Sequence, residues 1–98
     1  MKQLEGQEAI RTFFGCNSTH RETVHVREDY RGWVFWEGDV GVFDLDGHAS
    51  AACAYVFRFK GESGEKRIFP ILHAGLVDSP ESAVRAMVVH EVTAREQT

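Results

Sequence analysis

Five histidines and two cysteines are the residues of this 98-residue chain best suited to chemistry: His20, His25, His48, His73 and His90, with Cys16 and Cys53. His20 and His25 are five apart. In a continuous strand an odd separation sends them to opposite faces, so they do not chelate one ion. His90-Glu91 opens like the helical zinc-protease motif, but position 94 is alanine and the second histidine ligand is missing. Asp44-Leu45-Asp46-Gly47-His48 resembles a calcium loop without the third oxygen ligand or the terminal Glu that such a loop requires. Asp46-Gly47 is better read as a tight hairpin turn, whose positive φ angles suit Asp-Gly. Gly61-Glu62-Ser63-Gly64-Glu65-Lys66 has the wrong spacing for a phosphate loop, no Ser or Thr after Lys66, and two acids that would repel phosphate. It reads as a hairpin loop. Cys53 lies among alanines and reads as a small buried hydrophobe. Cys16 follows a helix end, the wrong end of the dipole to activate a thiolate. No Gly-x-Ser-x-Gly elbow occurs. No residue is assigned as catalytic, none as a metal ligand, and no cofactor is implied.

One constellation remains. If His25, Arg27, Trp33, Tyr55 and Arg58 share a sheet face, they form an aromatic surface with polar ends, the composition of many ligand sites and interfaces. With Phe35, Trp36 and Phe57 they are the candidate interface or ligand residues.

The elements that must position them follow from hydrophobic spacing. Leu4, Ala9, Ile10, Phe13 and Phe14 approximate a helical stripe, with Gly15 as its stop and Gly6 weakening the first turn. Cys16 to His20 reads as a polar loop. Thr23–Glu28 alternates as a half-buried strand, and Tyr30-Arg31-Gly32 turns the chain. Trp33–Trp36 reads as a strand, Glu37-Gly38-Asp39 as a turn, and Val40–Leu45 as a further strand. Ala49–Lys60 is the longest strand candidate, with Tyr55, Phe57 and Phe59 on one side. Arg67–His73 closes the sheet, and Pro70 argues for an edge position or a bulge. Ser79 as N-cap and Pro80 as first helical residue open a helix to about Arg95, with Ala83, Val84, Met87, Val88 and Val92 as its apolar stripe. The fold class is therefore α+β: an N-terminal helix, an antiparallel meander of four to five strands, and a C-terminal helix packed on one sheet face, all in one domain spanning 1–98.

Two helices on one face would leave the other face polar, with clean alternation along every strand. Trp33–Trp36 and Ile68–Leu72 break that rule by carrying apolar side chains on both sides. Each large ring hides ~150–250 Å² when covered, so an uncovered second face would exceed the patch most monomers carry. The expected cover is a second copy of the chain, because symmetric dimers are the commonest soluble assembly.

Composition narrows the partners. Net charge is −4, and acids outnumber bases nine to five up to Ala49. No basic stripe exists, which argues against nucleic acid and anionic membrane surfaces. No basic start with an apolar h-region marks a signal peptide, and no apolar run is long enough to span a bilayer. Two reduced cysteines and a cytoplasmic location are expected.

Phe43-Asp44-Leu45-Asp46-Gly47-His48 with Ala54-Tyr55-Val56-Phe57, followed by Asp78-Ser79-Pro80 and Ala83-Val84, resembles the small orphan proteins carried by mobile integron gene cassettes. The resemblance implies a compact, oligomeric bacterial protein and no catalytic residue. The helix–sheet–helix order also resembles cystatin-like or NTF2-like α+β folds, which carry a longer helical portion on one side. The expected function is a homodimeric binding or interaction module using an aromatic sheet face. The alternatives are a small-molecule binder or small enzyme with a cleft between sheet and helix, and an acidic protein that covers a basic partner.

Overall fold

Short connections between successive apolar runs leave these strands up-and-down pairing as their simplest arrangement. The computed structural model describes residues 3–60 and 64–96. Its order is α1 (Gln3–Phe14), β1 (Asn17–Tyr30), β2 (Trp33–Asp46), β3 (Cys53–Lys60), β4 (Lys66–Leu72) and α2 (Pro80–Glu96). The strands form one antiparallel sheet in the order β1-β2-β3-β4. This is the expected α+β meander, with four strands. Part of the loop expected over 61–66 lies outside the described residues.

Strand lengths differ from expectation. The segment from Asn17 to His20 extends β1, and the expected turn at Glu37-Gly38-Asp39 is continuous strand, so β1 and β2 each run 14 residues. Gly38 stays in the strand because it pairs with Val26 and its missing side chain makes room for the Trp36 ring. The β1–β2 turn uses Arg31 and Gly32, both at positive φ (52° and 82°), the pattern of a type I′ hairpin. Arg31 stands 5.1 Å from the Tyr30 ring centre, a cation–π contact that accompanies the unusual backbone. Asp46-Gly47 does not close a two-residue hairpin. A longer loop follows, shut by the Leu45 N–H donating to Ala52 O at 2.8 Å and by Ser50 and Ala51 N–H groups donating to His48 Nδ1, both at 3.1 Å.

The two helices lie on opposite faces of the sheet. On one face α1 packs Ile10, with Ala9 and Phe14 beside it, onto Phe43, Ala54, Val56, Ile68 and Leu72. On the other α2 packs Ala83, Val84 and Val88 onto Val26, Val40, Val42, Tyr55, Phe57 and Phe59. That arrangement explains the apolar residues on both sides of Ile68–Leu72: Ile68 and Leu72 meet α1, Phe69 and Ile71 meet the α2 cluster. It also corrects the expectation that both helices share one face and leave the other without cover from the chain itself. The α1 stripe differs too. Leu4 and Phe13 are exposed, and buried Gly6 takes the place of a large residue, because the Phe43 ring occupies the space its side chain would need.

The α2 start is capped as its sequence predicts. Ser79 Oγ accepts from Ser82 N–H at 3.1 Å, and Ser82 Oγ accepts from Ser79 N–H at 2.9 Å, a reciprocal capping box. Among the described residues, no helix is long and apolar enough to cross a membrane.

Candidate functional site

Two bulges in the β1–β2 ribbon decide which side chains meet. The first inserts Arg21 between the pairs His20↔Phe43 and Glu22↔Val42. One extra residue reverses the side-chain parity, so His20 and His25 fall on the same α1 face and not on opposite ones. They still take separate partners. His20 bonds Thr23 Oγ1 at 2.9 Å and stacks edge-on against Phe43, while His25 bonds acids on β2. The second bulge inserts Phe35 between Glu28↔Trp36 and Asp29↔Val34. Phe35 and Trp36 then both lean to the α2 side: Phe35 stacks on Phe59, and Trp36 meets Phe57 edge-on. Strict alternation would have split them.

Next to that bulge the sheet forks. Pairing of β2 with β3 runs from Asp44↔Cys53 only as far as Gly41↔Val56. The β3–β4 pair continues to Lys60↔Lys66, and the β1–β2 pair continues to Tyr30↔Trp33. Between the diverging hairpins Trp36 spans the gap, its indole N–H donating to Arg58 O at 2.8 Å. A cleft of about 380 Å³ lies here. One wall is β2, from Phe35 to Asp39; the other is Arg58 and Lys60 of β3 with Lys66 of β4.

The walls carry opposite charge. Glu37 and Asp39 hold His25 between them, with Nε2 to Glu37 at 2.8 Å and Nδ1 to Asp39 at 3.1 Å. An acid on each ring nitrogen favours the imidazolium, so the hydrogen bonds to Glu37 and then Asp39 raise the His25 pKa above its ordinary value. On the opposite wall Arg58 pairs with Glu5 of α1. Lys60 and Lys66 stand directly across from each other, and neither side chain has a hydrogen bond or ion pair among the described residues.

No family model, curated protein or solved structure matches the chain. The site therefore stands on its own geometry.

The eight candidate residues do not form one surface. His25, Arg27 and Arg58 lie on the α1 side; Arg27 pairs with Asp29 at 3.1 Å. Tyr55 and Phe57 are core residues beneath α2. Phe35, Trp36 and Arg58 come together at the cleft, and Trp33, at the hairpin tip, is 78% exposed. Sequence reasoning missed Glu37, Asp39, Lys60 and Lys66. The acids were assigned to a turn, and the lysine pair becomes visible only once the β3–β4 register is fixed.

A second cluster lies under the N-terminal end of α2. The Tyr55 hydroxyl shares a hydrogen bond with His73 Nδ1 at 2.6 Å, and Cys53 Sγ is 4.0 Å from the same phenol oxygen. Burial, with the Cys53 thiol second, pushes the Tyr55 pKa up to about 12, so the phenol keeps its proton at neutral pH. Nearby Arg21 pairs with Asp44. A buried phenol on an imidazole is a polar contact that satisfies both groups, and the cleft at the fork contains neither. Cys16 and Cys53 are free thiols. Among the described residues no cluster of three His, Cys, Asp or Glu fits a metal ion.

Proposed function

We propose that this is a small-molecule-binding protein whose ligand sits in the fork between the β1–β2 and β3–β4 hairpins. The observation that carries the reading is the early end of β2–β3 pairing, which leaves a cleft within the ~300–1,000 Å³ range of ligand sites. Two aromatic and five charged side chains line it, a more highly charged lining than most ligand sites carry, which suits a ligand that is itself charged. Binding without catalysis is the better reading, since the hydrogen-bonded Tyr55–His73 pair lies outside the cleft. We take the compartment to be the cytoplasm, in keeping with two unbridged cysteines.

The test is a nuclear magnetic resonance titration of ¹⁵N-labelled protein with a panel of indole, naphthalene and pyridine fragments. The Trp36 Nε1–H resonance is the reporter, assigned with a Trp36→Phe variant. Saturable shifts at Trp36 and at the amides of 37–39 are expected. A panel that leaves all of these unmoved refutes the reading.

A homodimer is a second reading, favoured by the hairpin tip, where Trp33 and Val34 are 78% and 47% exposed. Such a tip is small for an interface on its own. Light scattering of the wild type against Trp33→Arg checks it: a wild-type dimer that becomes a monomer supports self-association, and a monomeric wild type ends it.

A further inference from the structure

We infer that the cleft is built for a small organic anion carrying an apolar ring, an inference that rests on the ligand-binding reading above and names its ligand class. The argument begins with a cost. Lys60 and Lys66 are directly opposed across the β3–β4 pair, and like charges in that position destabilise a sheet. Arg58 stands two residues before Lys60 on the same face, so three cations gather at the end of one hairpin. Glu65 is close in sequence, yet it bonds Arg67 at 3.4 Å.

The acids of the opposite wall do not cancel this group. Glu37 and Asp39 both hydrogen-bond the His25 ring, which draws them toward β1 and away from the cations. Glu5 reaches in from α1 but is taken by Arg58. Among the described residues, the charge left to meet a ligand is that of Lys60 and Lys66. A carboxylate, sulfonate or phosphate ester placed between two ammonium groups would make charge-assisted hydrogen bonds and relieve their mutual repulsion. Trp36 and Phe35 supply the apolar contact at the back of the opening, from the side where they pack on the α2 cluster.

Three probes of one shape separate the possibilities: 2-naphthoate, 2-naphthalenemethanol and 2-naphthylmethylamine, each titrated while the Trp36 Nε1–H and the Lys60 and Lys66 amide resonances are followed. The naphthoate is expected to bind tightest, weakening about tenfold or more in about 0.5 M salt, where charge attraction is screened. Lys66→Glu supplies a readout that a purely structural role would not move. It puts opposite charges across the strand pair, so its melting temperature should rise while naphthoate affinity falls at least about tenfold, the loss of a charge-assisted contact. Tighter binding of the alcohol or the amine than of the naphthoate overturns the anion assignment and leaves the cleft intact. Naphthoate binding that is unchanged in Lys66→Glu overturns it equally. Silence from all three probes at Trp36 counts against the ligand-binding reading itself.

Discussion

Replacing Gly6 with alanine should destabilise the protein, although alanine is the better helix former. Gly6 lies inside α1 and is buried, and its helical conformation needs no glycine. Intrinsic preference alone would make Gly6→Ala stabilising by about 1 kcal/mol. The added Cβ, however, would overlap the Phe43 ring at Cζ and Cε1, and that ring is 1% exposed. It cannot retreat toward the sheet, because a Cβ on Gly41 would already lie 2.7 Å from Cε1 on that side. Phe43 is thus seated between a helix glycine and a strand glycine. Overfilling a packed core costs about 1–3 kcal/mol, so the net change should be a loss of about 1 kcal/mol, or roughly 4–8 °C in melting temperature for a chain of this size. The decisive comparison uses Phe43→Leu as a second background. With the ring gone, Gly6→Ala should recover its ordinary helix advantage and stabilise by about 1 kcal/mol, a coupling of about 2 kcal/mol between the two positions. Thermal and urea unfolding followed by circular dichroism measures all four proteins. If Gly6→Ala raises stability equally in both backgrounds, the ring-in-socket account of how α1 meets the sheet is wrong.

Three further outcomes follow from the fold and the charges. The folded pKa of His25 is raised, so the stability it contributes is complete below about pH 6.5, the unfolded value, and is lost as pH rises through the folded one; a proton-resonance titration of His25 giving a midpoint at or below 6.5 would contradict the two-acid clamp. Of the two tyrosines, Tyr55 should keep its phenol proton until about pH 12; absorbance titration of wild type and Tyr55→Phe should isolate that step, and its ionisation near pH 10 would show that the phenol is not buried. Ser79→Ala removes the acceptor for Ser82 N–H and should cost about 1 kcal/mol; an unchanged urea midpoint would mean the cap contributes nothing.

Much of the fold is written in local signals, and the site is not. Ser79-Pro80 marks the α2 start because capping depends on neighbours in sequence, and the apolar stripe of Ala83, Val84 and Val88 needs nothing beyond helical spacing. Strand alternation identifies β3 for the same reason. The errors arise wherever a distant partner decides. Gly6 reads as a weak point in a helix until Phe43, 37 positions on in the sequence, is seen to fill its place. Four apolar residues at Trp33–Trp36 read as two per face until the bulge at Phe35 turns Phe35 and Trp36 the same way. His20 and His25 change their relation through a single inserted residue, Arg21, that no spacing rule could locate. Helix placement mattered most. Nothing in either helix specifies which face it takes, so the need for a second chain over the sheet was inferred from a face that α1 itself covers.

The seat of α1 is assembled from strands made long after it. Its contacts include Ala54 and Val56 of β3 and Ile68 and Leu72 of β4. At ~5–20 residues per second, synthesis leaves about 3–12 s between the end of the helix and the last of those residues. During that interval Ile10 and Phe14 have no finished surface to rest on. The meander can zip hairpin by hairpin through near-neighbour pairings, whereas α1 must wait for the whole sheet. Its docking is then the step that locks the first-made segment to the last strand, and a nascent-chain stall placed before β4 should leave the helix open to a chaperone.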